Sequence, residues 1–210
     1  MSRPPLSPEE TEEHSRRFIA ATFRVIASTG EASPSIRPIL TEAGLSRQAL
    51  YRCFPSKDDL MAAVLAEGRR LLAEYLEGRI AREATPDAKV RAWVAGMMRQ
   101  AEAPDAADRT RPFIASLGEG IVSSRVDMVE SEQELARLLE DALVAGVADG
   151  LWGTADPAGD ALRIHDFVLG SLRRHLLLRQ TPTAGTTRAL GDFALRGIGG
   201  SVPARLPATA

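Results

Sequence analysis

The chain has 210 residues, a net charge of −2 and a hydrophobic fraction of 44%, which is enough for a core and too low for a membrane protein. No apolar run reaches the length of a membrane span, and the polar, acidic residues 1–13 differ from a secretory signal peptide. The single cysteine, Cys53, excludes an intrachain disulfide, so we expect a protein of the reducing cytoplasm.

The composition predicts an all-α fold. Ala, Leu, Arg and Glu are abundant, and aromatic residues make up 5% of the chain. These abundant side chains lose little freedom in a helix. Apolar residues recur at helical spacing rather than alternating with polar ones, so we expect no sheet. The pattern predicts helices over about Glu9–Ser28, Ile36–Ala43, Arg47–Phe54, Lys57–Ala84, Pro86–Glu102, Thr110–Leu117, Gly120–Val129, Glu132–Ala148, Pro157–Gln180 and Thr186–Gly197, with a loop over Ala103–Asp108.

Short polar residues mark the starts of the early helices. Ser35, Ser46 and Ser56 are expected to cap the second, third and fourth helices, because a serine hydroxyl can accept from the free N–H groups of a first turn. Asp59 completes an acidic variant of the capping box with Ser56. Pro38 falls in the first turn of the second helix, where its missing N–H would have had no helical partner.

The second and third helices form a predicted helix-turn-helix over about residues 35–54. Gly44 supplies the sharp bend, Leu45 packs between the two helices, and the first helix buries their apolar side. Residues 14–57 hold seven basic and two acidic residues, a local charge of +5 in an otherwise acidic chain. Arginine can pair with guanine and glutamine with adenine in the major groove. The third helix carries such side chains on its outer side: Arg47, Gln48, Tyr51 and Arg52.

This stretch resembles the helix-turn-helix of the TetR family of regulators, specifically over about residues 18–65. The family pattern is a glycine, then Val/Ile-x-x-Ile-Ala-x-x-Ala-Gly-Val-Ser, then Leu-Tyr-x-x-Phe-x-x-Lys. The residues in matching positions are Gly30, Ile36, Ile39, Leu40, Ala43, Gly44, Leu45, Ser46, Leu50, Tyr51, Phe54, Ser56, Lys57 and Leu60. Three residues depart from the pattern. Pro38 stands where an acid often closes a capping box, Ile26 where Phe is usual, and Cys53 where an aromatic residue is common.

The resemblance implies a set of DNA contacts. Arg47, Gln48 and Ala49 would meet base edges, and Arg37 would touch a phosphate or a base edge. The remaining candidates, which would contact the DNA backbone or begin the recognition helix, are Ser46, Tyr51, Arg52 and Lys57. Lys57 also begins the fourth helix, whose N-terminal N–H groups and dipole favour a phosphate.

The C-terminal helices are expected to form a homodimer and to enclose a small-molecule effector, again as the resemblance implies. The apolar helix Pro157–Gln180 and the final helix would pair with their copies in the partner, with burial inside the same chain as the alternative. The effector would bind among apolar and aromatic side chains, for which the candidates are Trp93, Met97, Met98, Phe113, Leu117, Met128 and His165. Each of these side chains also fits an ordinary core role.

We therefore predict three segments. Residues 1–57 would be a three-helix DNA-binding domain with a disordered arm over about residues 1–8. Residues 58–200 would be a helical effector-binding and dimerisation domain, and residues 201–210 a flexible tail. The expected partners are a double-stranded, approximately palindromic DNA operator, a second copy of the chain and a small molecule, and no membrane.

Other functions fit the sequence less well. The three histidines and Cys53 have no metal-ligand spacing, and the glycine clusters follow no strand, so we expect no enzyme activity, metal or cofactor. An architectural DNA-binding protein without an effector is the alternative function. A redox role for Cys53 near the DNA-facing side is a further alternative to simple packing.

Overall fold

The computed structural model describes residues 7–116 and 125–199, and the surroundings of side chains over residues 7–114 and 133–199. The described residues are helical and contain no strand, which confirms the all-α fold. Their nine helices are α1 (Pro8–Thr29), α2 (Ile36–Ala43), α3 (Arg47–Cys53), α4 (Lys57–Ile80), α5 (Pro86–Glu102), α6 (Pro104–Ser116), α7 (Arg125–Ala148), α8 (Pro157–Leu177) and α9 (Ala184–Gly197). Within these ranges no helix has the length and hydropathy that crossing a membrane requires.

Helix ends follow the capping residues that the sequence indicated. Gly44 ends α2 in the left-handed region at φ 63°, where a glycine avoids the clash of a Cβ with the backbone. The Ser56 hydroxyl accepts from the Asp59 N–H at 3.1 Å, and the Asp59 carboxylate accepts from the Ser56 N–H at 2.9 Å. The Thr85 hydroxyl caps α5 by accepting from the Ala88 N–H. These predictions are confirmed.

The loop predicted over Ala103–Asp108 is wrong. Helix α6 begins at Pro104, so Ala103 alone separates it from α5 in an extended conformation. A proline in the first helical position is favoured, because its fixed φ suits the helix and its missing N–H is not needed there. Burial of Ala106 and Ala107 then outweighs the polarity of the segment. Helix α4 ends at Ile80 rather than near Ala84.

Several predicted segments fall partly outside the described residues. Ser7 caps α1 and Pro8 begins it, so these two residues are not part of a disordered arm; the rest of the predicted arm, residues 1–6, lies outside the described range. Of the predicted helix Gly120–Val129, the described part from Arg125 is continuous with α7, so the predicted break before Glu132 is absent. The predicted tail, residues 201–210, lies outside the described range.

The chain divides into two compact units. In the described residues, the first unit comprises 7–71 and 104–116, and the second comprises 72–103 and 125–199. The first compact unit therefore includes the first half of α4 and helix α6 in addition to α1–α3. The functional boundary predicted after Lys57 stays a prediction. The core of the first unit contains fully buried side chains from four helices: Phe18, Ile26, Ile39, Leu50 and Leu60.

Helix α5 is central to the second unit and packs against α7, α8 and α9. Its buried side includes Trp93, whose indole N–H donates to the Leu135 carbonyl of α7 at 3.0 Å. Two polar contacts join α5 to α9: an Arg91–Asp192 ion pair at 2.5 Å and a Thr187 hydroxyl that donates to Glu102 at 2.6 Å.

A glycine in α7 is required by the packing of the second unit. A Cβ added at Gly146 would overlap the ring of Trp152, which is 5% exposed, whereas a Cβ added at Gly78 in α4 would meet no atom within 4 Å. We expect Gly146→Ala to lower the free energy of unfolding by about 1–3 kcal/mol through overpacking. Gly78→Ala is expected to raise it by about 0.4–1 kcal/mol by restricting the unfolded chain. Urea unfolding at one protein concentration measures both, and equal effects of the two substitutions would contradict this packing.

Candidate nucleic-acid interface

Helix α3 presents one polar side and buries the other. Leu50 is 1% exposed and Ala49 is 9% exposed, and both belong to the core that contains Phe18 and Phe54. The exposed side carries Arg47, Gln48 and Tyr51. Because residues three and four apart share one side of a helix, Tyr51 lies on the same side as both Arg47 and Gln48. Burial of the apolar side of α3 therefore leaves three hydrogen-bonding side chains exposed on one side of the helix.

The structure places Ala49 mainly on the inner side of α3. Its side chain is 9% exposed and packs in the core of the first unit, a placement that does not support the predicted contact with a base edge. Ala49 follows Arg47 and Gln48 in sequence, but on a helix it shares a face with the half-buried Cys53, four residues later, rather than with those two residues. The predicted roles of the other α3 residues stay predictions.

The cations near α3 are available for an anionic partner. Arg37, Arg47 and Arg52 form no ion pair with a carboxylate of the described residues. Arg37 and Arg47 are exposed and Arg52 is half-buried. The first turns of α2 and α3 contain no acidic residue. The charges of these three arginines are therefore not neutralised by a carboxylate contact within the described residues.

Lys57 has a contact that the sequence did not reveal. Its ammonium donates to the Ser33 carbonyl at 2.9 Å, and its side chain is half-buried. This bond ties the first turn of α4 to the segment just before α2. An ammonium has three N–H donors, so the bond to Ser33 leaves donors for a phosphate at the same position.

The two serine caps of the motif differ. The Ser46 hydroxyl accepts from the Ala49 N–H at 3.1 Å, whereas Ser35 makes no side-chain cap bond. The reason is Pro38, which occupies the third helical position of α2 and has no N–H to donate. The cap bond predicted for Ser35 is therefore absent, and Pro38 also lacks the carboxylate that closes a capping box in the family pattern.

Cys53 is the last residue of α3 and lies on the inner side of that helix. The half-buried thiol donates to the Thr11 carbonyl of α1 at an Sγ–O distance of 3.7 Å, and the side chain packs against the core. These contacts fit a packing residue. No cluster of three or more metal-ligating side chains occurs within the described ranges.

The effector candidates divide between the two units. Trp93, Met97, Met98 and His165 are each at most 1% exposed in the second unit, and the Trp93 and His165 rings meet edge to face at 6.0 Å. Phe113 is a correction, because it packs against the core of the first unit that contains Phe18. Helix α6, which carries Phe113, packs against α1 in that unit. Leu117 lies outside the described residues, and Met128 outside the described side chains.

Helices α8 and α9 carry an aromatic pair on their outer side. The rings of Phe167 and Phe193 stack at 4.6 Å between centroids, although the residues are 38% and 54% exposed. They line a cavity of about 160 Å³ together with Asp160 and Arg163. The sequence indicated an apolar α8, but the pairing of these two rings depends on how α8 and α9 approach each other.

Residues 18–64 match the family model described as bacterial regulatory proteins, tetR family. A 57-residue segment is 42% identical to the HTH-type nicotine-responsive transcriptional repressor HdnoR of Paenarthrobacter nicotinovorans. Residues 18–64 therefore form a helix-turn-helix segment of the TetR type. The 57-residue segment covers 27% of this chain and 29% of that repressor, so the chain matches less than a third of its curated relative.

Solved structures of TetR regulators share the fold over nearly the whole chain. A TetR transcription regulator from Haloarcula marismortui has a TM-score of 0.72 at 18% identity, covering 90% of this chain and 97% of that one. The regulator FadR of Bacillus subtilis, in complex with stearoyl-CoA, has a TM-score of 0.65 at 18% identity, covering 87% of this chain and 96% of that one. The TetR likeness therefore extends in fold from the helix-turn-helix to the C-terminal helices.

The paired caps of this TetR motif allow a controlled test. We expect Ser46→Ala to lower the free energy of unfolding by about 1 kcal/mol, because it removes the bond to the Ala49 N–H. Ser35→Ala removes no cap bond and should change it by less than about 0.5 kcal/mol. Urea unfolding under identical conditions gives both values. Similar losses for the two variants would refute the difference in capping.

Proposed function

We propose that this chain is a TetR-family, sequence-specific DNA-binding transcriptional regulator. The observation that carries the proposal is the polar side of α3, where Arg47 and Gln48 are exposed while Leu50 is buried. A helix of this kind fits the major groove, in which each base pair presents a distinct set of donors and acceptors. The curated relative HdnoR, named as a transcriptional repressor, supports repression as the outcome.

The proposed DNA contacts are of two kinds, to base edges and to the phosphate backbone. Arg47 and Gln48 read base edges, since their side chains extend from the first turn of α3, the part of a recognition helix that contacts bases. Tyr51, Arg52 and Lys57 contact the phosphate backbone and hold the protein in register, and Arg37 contacts a phosphate or a base edge. The absence of paired carboxylates in the described chain around Arg37, Arg47 and Arg52 supports DNA contact by all three arginines.

The functional unit in this proposal is a homodimer joined through α8 and α9. The exposed Phe167 and Phe193 leave an apolar surface that a second copy would cover. Two-fold symmetry places two recognition helices about one DNA turn apart, roughly 34 Å or somewhat more, so the operator is approximately palindromic.

A small-molecule effector releases the operator by binding in the second unit. Trp93, Met97, Met98 and His165 are buried side chains of this unit, and the imidazole of His165, whose ring meets that of Trp93, can orient a ligand. The names of two relatives mention nicotine and stearoyl-CoA, which supports a ligand-responsive role without fixing the ligand class. Helix α4 contributes Lys57–Leu71 to the first unit and Leu72–Ile80 to the second, so it can carry a change in the second unit to the spacing of the two DNA-binding units.

The function is tested by binding to the DNA that flanks the protein's own gene and to random DNA across a salt series. Tight binding that survives random competitor supports a sequence-specific regulator. Equal, strongly salt-dependent binding to both would favour an architectural protein, because phosphate contacts carry no sequence information.

Base reading by α3 is tested with alanine variants. We expect Arg47→Ala or Gln48→Ala to cost about 1–3 kcal/mol on the specific site and much less on random DNA, because each loses base contacts. Fluorescence anisotropy with both duplexes measures the two affinities. Arg99→Ala is the matched control, since it removes an exposed positive charge from α5. A loss of equal size on both duplexes would remove the base-reading role.

The dimer surface is tested by introducing charge. We expect the wild type to sediment as a dimer at micromolar concentration, and Phe193→Glu to weaken association at least tenfold by placing a charge in an apolar interface. Leu151→Glu is the control, because Leu151 is 47% exposed in the same unit but lies outside α8 and α9. A monomeric wild type, or equal behaviour of the two variants, would argue against this interface.

A further inference from the structure

Helix α2 is held at both ends by cationic side chains from other helices. Lys57 of α4 donates to the Ser33 carbonyl just before α2, and Arg17 of α1 donates through Nη2 to the carbonyl of Ala43, the last residue of α2, at 2.8 Å. The last carbonyls of a helix have no partner within that helix, so such a bond satisfies one of them. With eight residues, α2 is too short to be stable by itself.

The bond from Arg17 acts at the turn of the helix-turn-helix. Ala43 is followed directly by Gly44, whose φ of 63° reverses the chain, and Ser46 then caps α3. A Cβ at Gly44 would lie 3.6 Å from Arg17 Nη2, so the guanidinium packs against the turn itself. The turn sets the angle between α2 and α3, and the charge of Arg17 also suits the negative end of the α2 dipole.

Neighbouring arginines of α1 differ in what they reach. Arg24 lies two turns after Arg17 on the same side of α1, and its Nε donates to the Glu42 carboxylate at 2.5 Å. Arg16 instead pairs with Glu12 on its own helix, and this hydrogen bond raises the pKa of the Arg16 guanidinium. Arg16 and Arg17 thus carry the same charge at adjacent positions, but of the two only Arg17 donates to the α2 backbone within the described residues.

We propose that Arg17 is a positioning residue for DNA recognition, which orients the recognition helix α3 by holding the Ala43 carbonyl at the turn. The inference rests on the proposed function, because it requires that α3 read a DNA sequence. Arg17 need not touch the DNA in this account. Its loss lets the turn move, so Arg47 and Gln48 no longer meet two base edges at once, while contacts to phosphates tolerate the movement.

The test compares Arg17→Gln with Arg16→Gln, which removes the same charge one residue away. The probes are a duplex selected by the wild type from a random-sequence library and a scrambled duplex of equal length. We expect Arg17→Gln to lose about tenfold more affinity than Arg16→Gln on the selected duplex, the loss typical of one hydrogen bond from a charged donor. On the scrambled duplex the two variants should bind equally, with equal salt dependence. Arg17→Lys keeps a charged donor and should recover part of the loss.

Binding is measured at a temperature where circular dichroism and urea unfolding show each variant to be fully folded, so global unfolding does not contribute. Equal affinities of Arg17→Gln and Arg16→Gln on the selected duplex would overturn the proposal. So would an equal loss on both duplexes with a lower salt slope, since that result identifies Arg17 as a direct phosphate contact. If the wild type selects no sequence, the proposed function itself fails, which separates that failure from a failure of the Arg17 proposal.

Discussion

Burial of two short helices against α1 is the constraint on which this molecule depends. Helices α2 and α3 have eight and seven residues, and helices of that length do not persist alone in water. They exist because Ile39 and Leu50 are buried with Phe18 and Ile26 of α1. The Phe18 and Phe54 rings meet edge to face with 6.4 Å between their centroids. This contact packs the residue that follows α3 against the same core. The polar side of α3 is therefore presented by a packed scaffold rather than by a mobile segment.

This constraint explains how the first unit can combine stability with recognition. The buried apolar residues of α3 lie on its inner side, so Arg47 and Gln48 are exposed without loss of core packing. Helix α2 lacks a side-chain cap bond from Ser35. Hydrogen bonds from Arg17 and Lys57 to backbone carbonyls hold its two ends instead. The second unit has its own core around α5, where the rings of Trp93 and His165 meet.

The sequence predicted most of the fold because its local signals are strong. Glycine at Gly44 and the Ser56–Asp59 capping box act within a few residues, and they mark helix ends that the structure confirms. Predictions that depended on contacts between residues far apart in the sequence were less accurate. The segment after Ala103 is polar enough for a loop but is helical, and Phe113 joins the first unit, because burial on α1 decides both.

The same distinction applies to the candidate site. The family pattern identified the polar residues of α3, but it also included Ala49, which the helical geometry turns into the core. The contact of Arg17 with Ala43 spans 26 residues, so no local pattern could have predicted it.

Methylation interference on the selected duplex tests the central claim, that α3 reads the major groove. We predict that methylation of guanine N7, which lies in the major groove, blocks binding at two clusters about one helical turn apart. Interference confined to adenine N3 in the minor groove, or no interference at all, would contradict it.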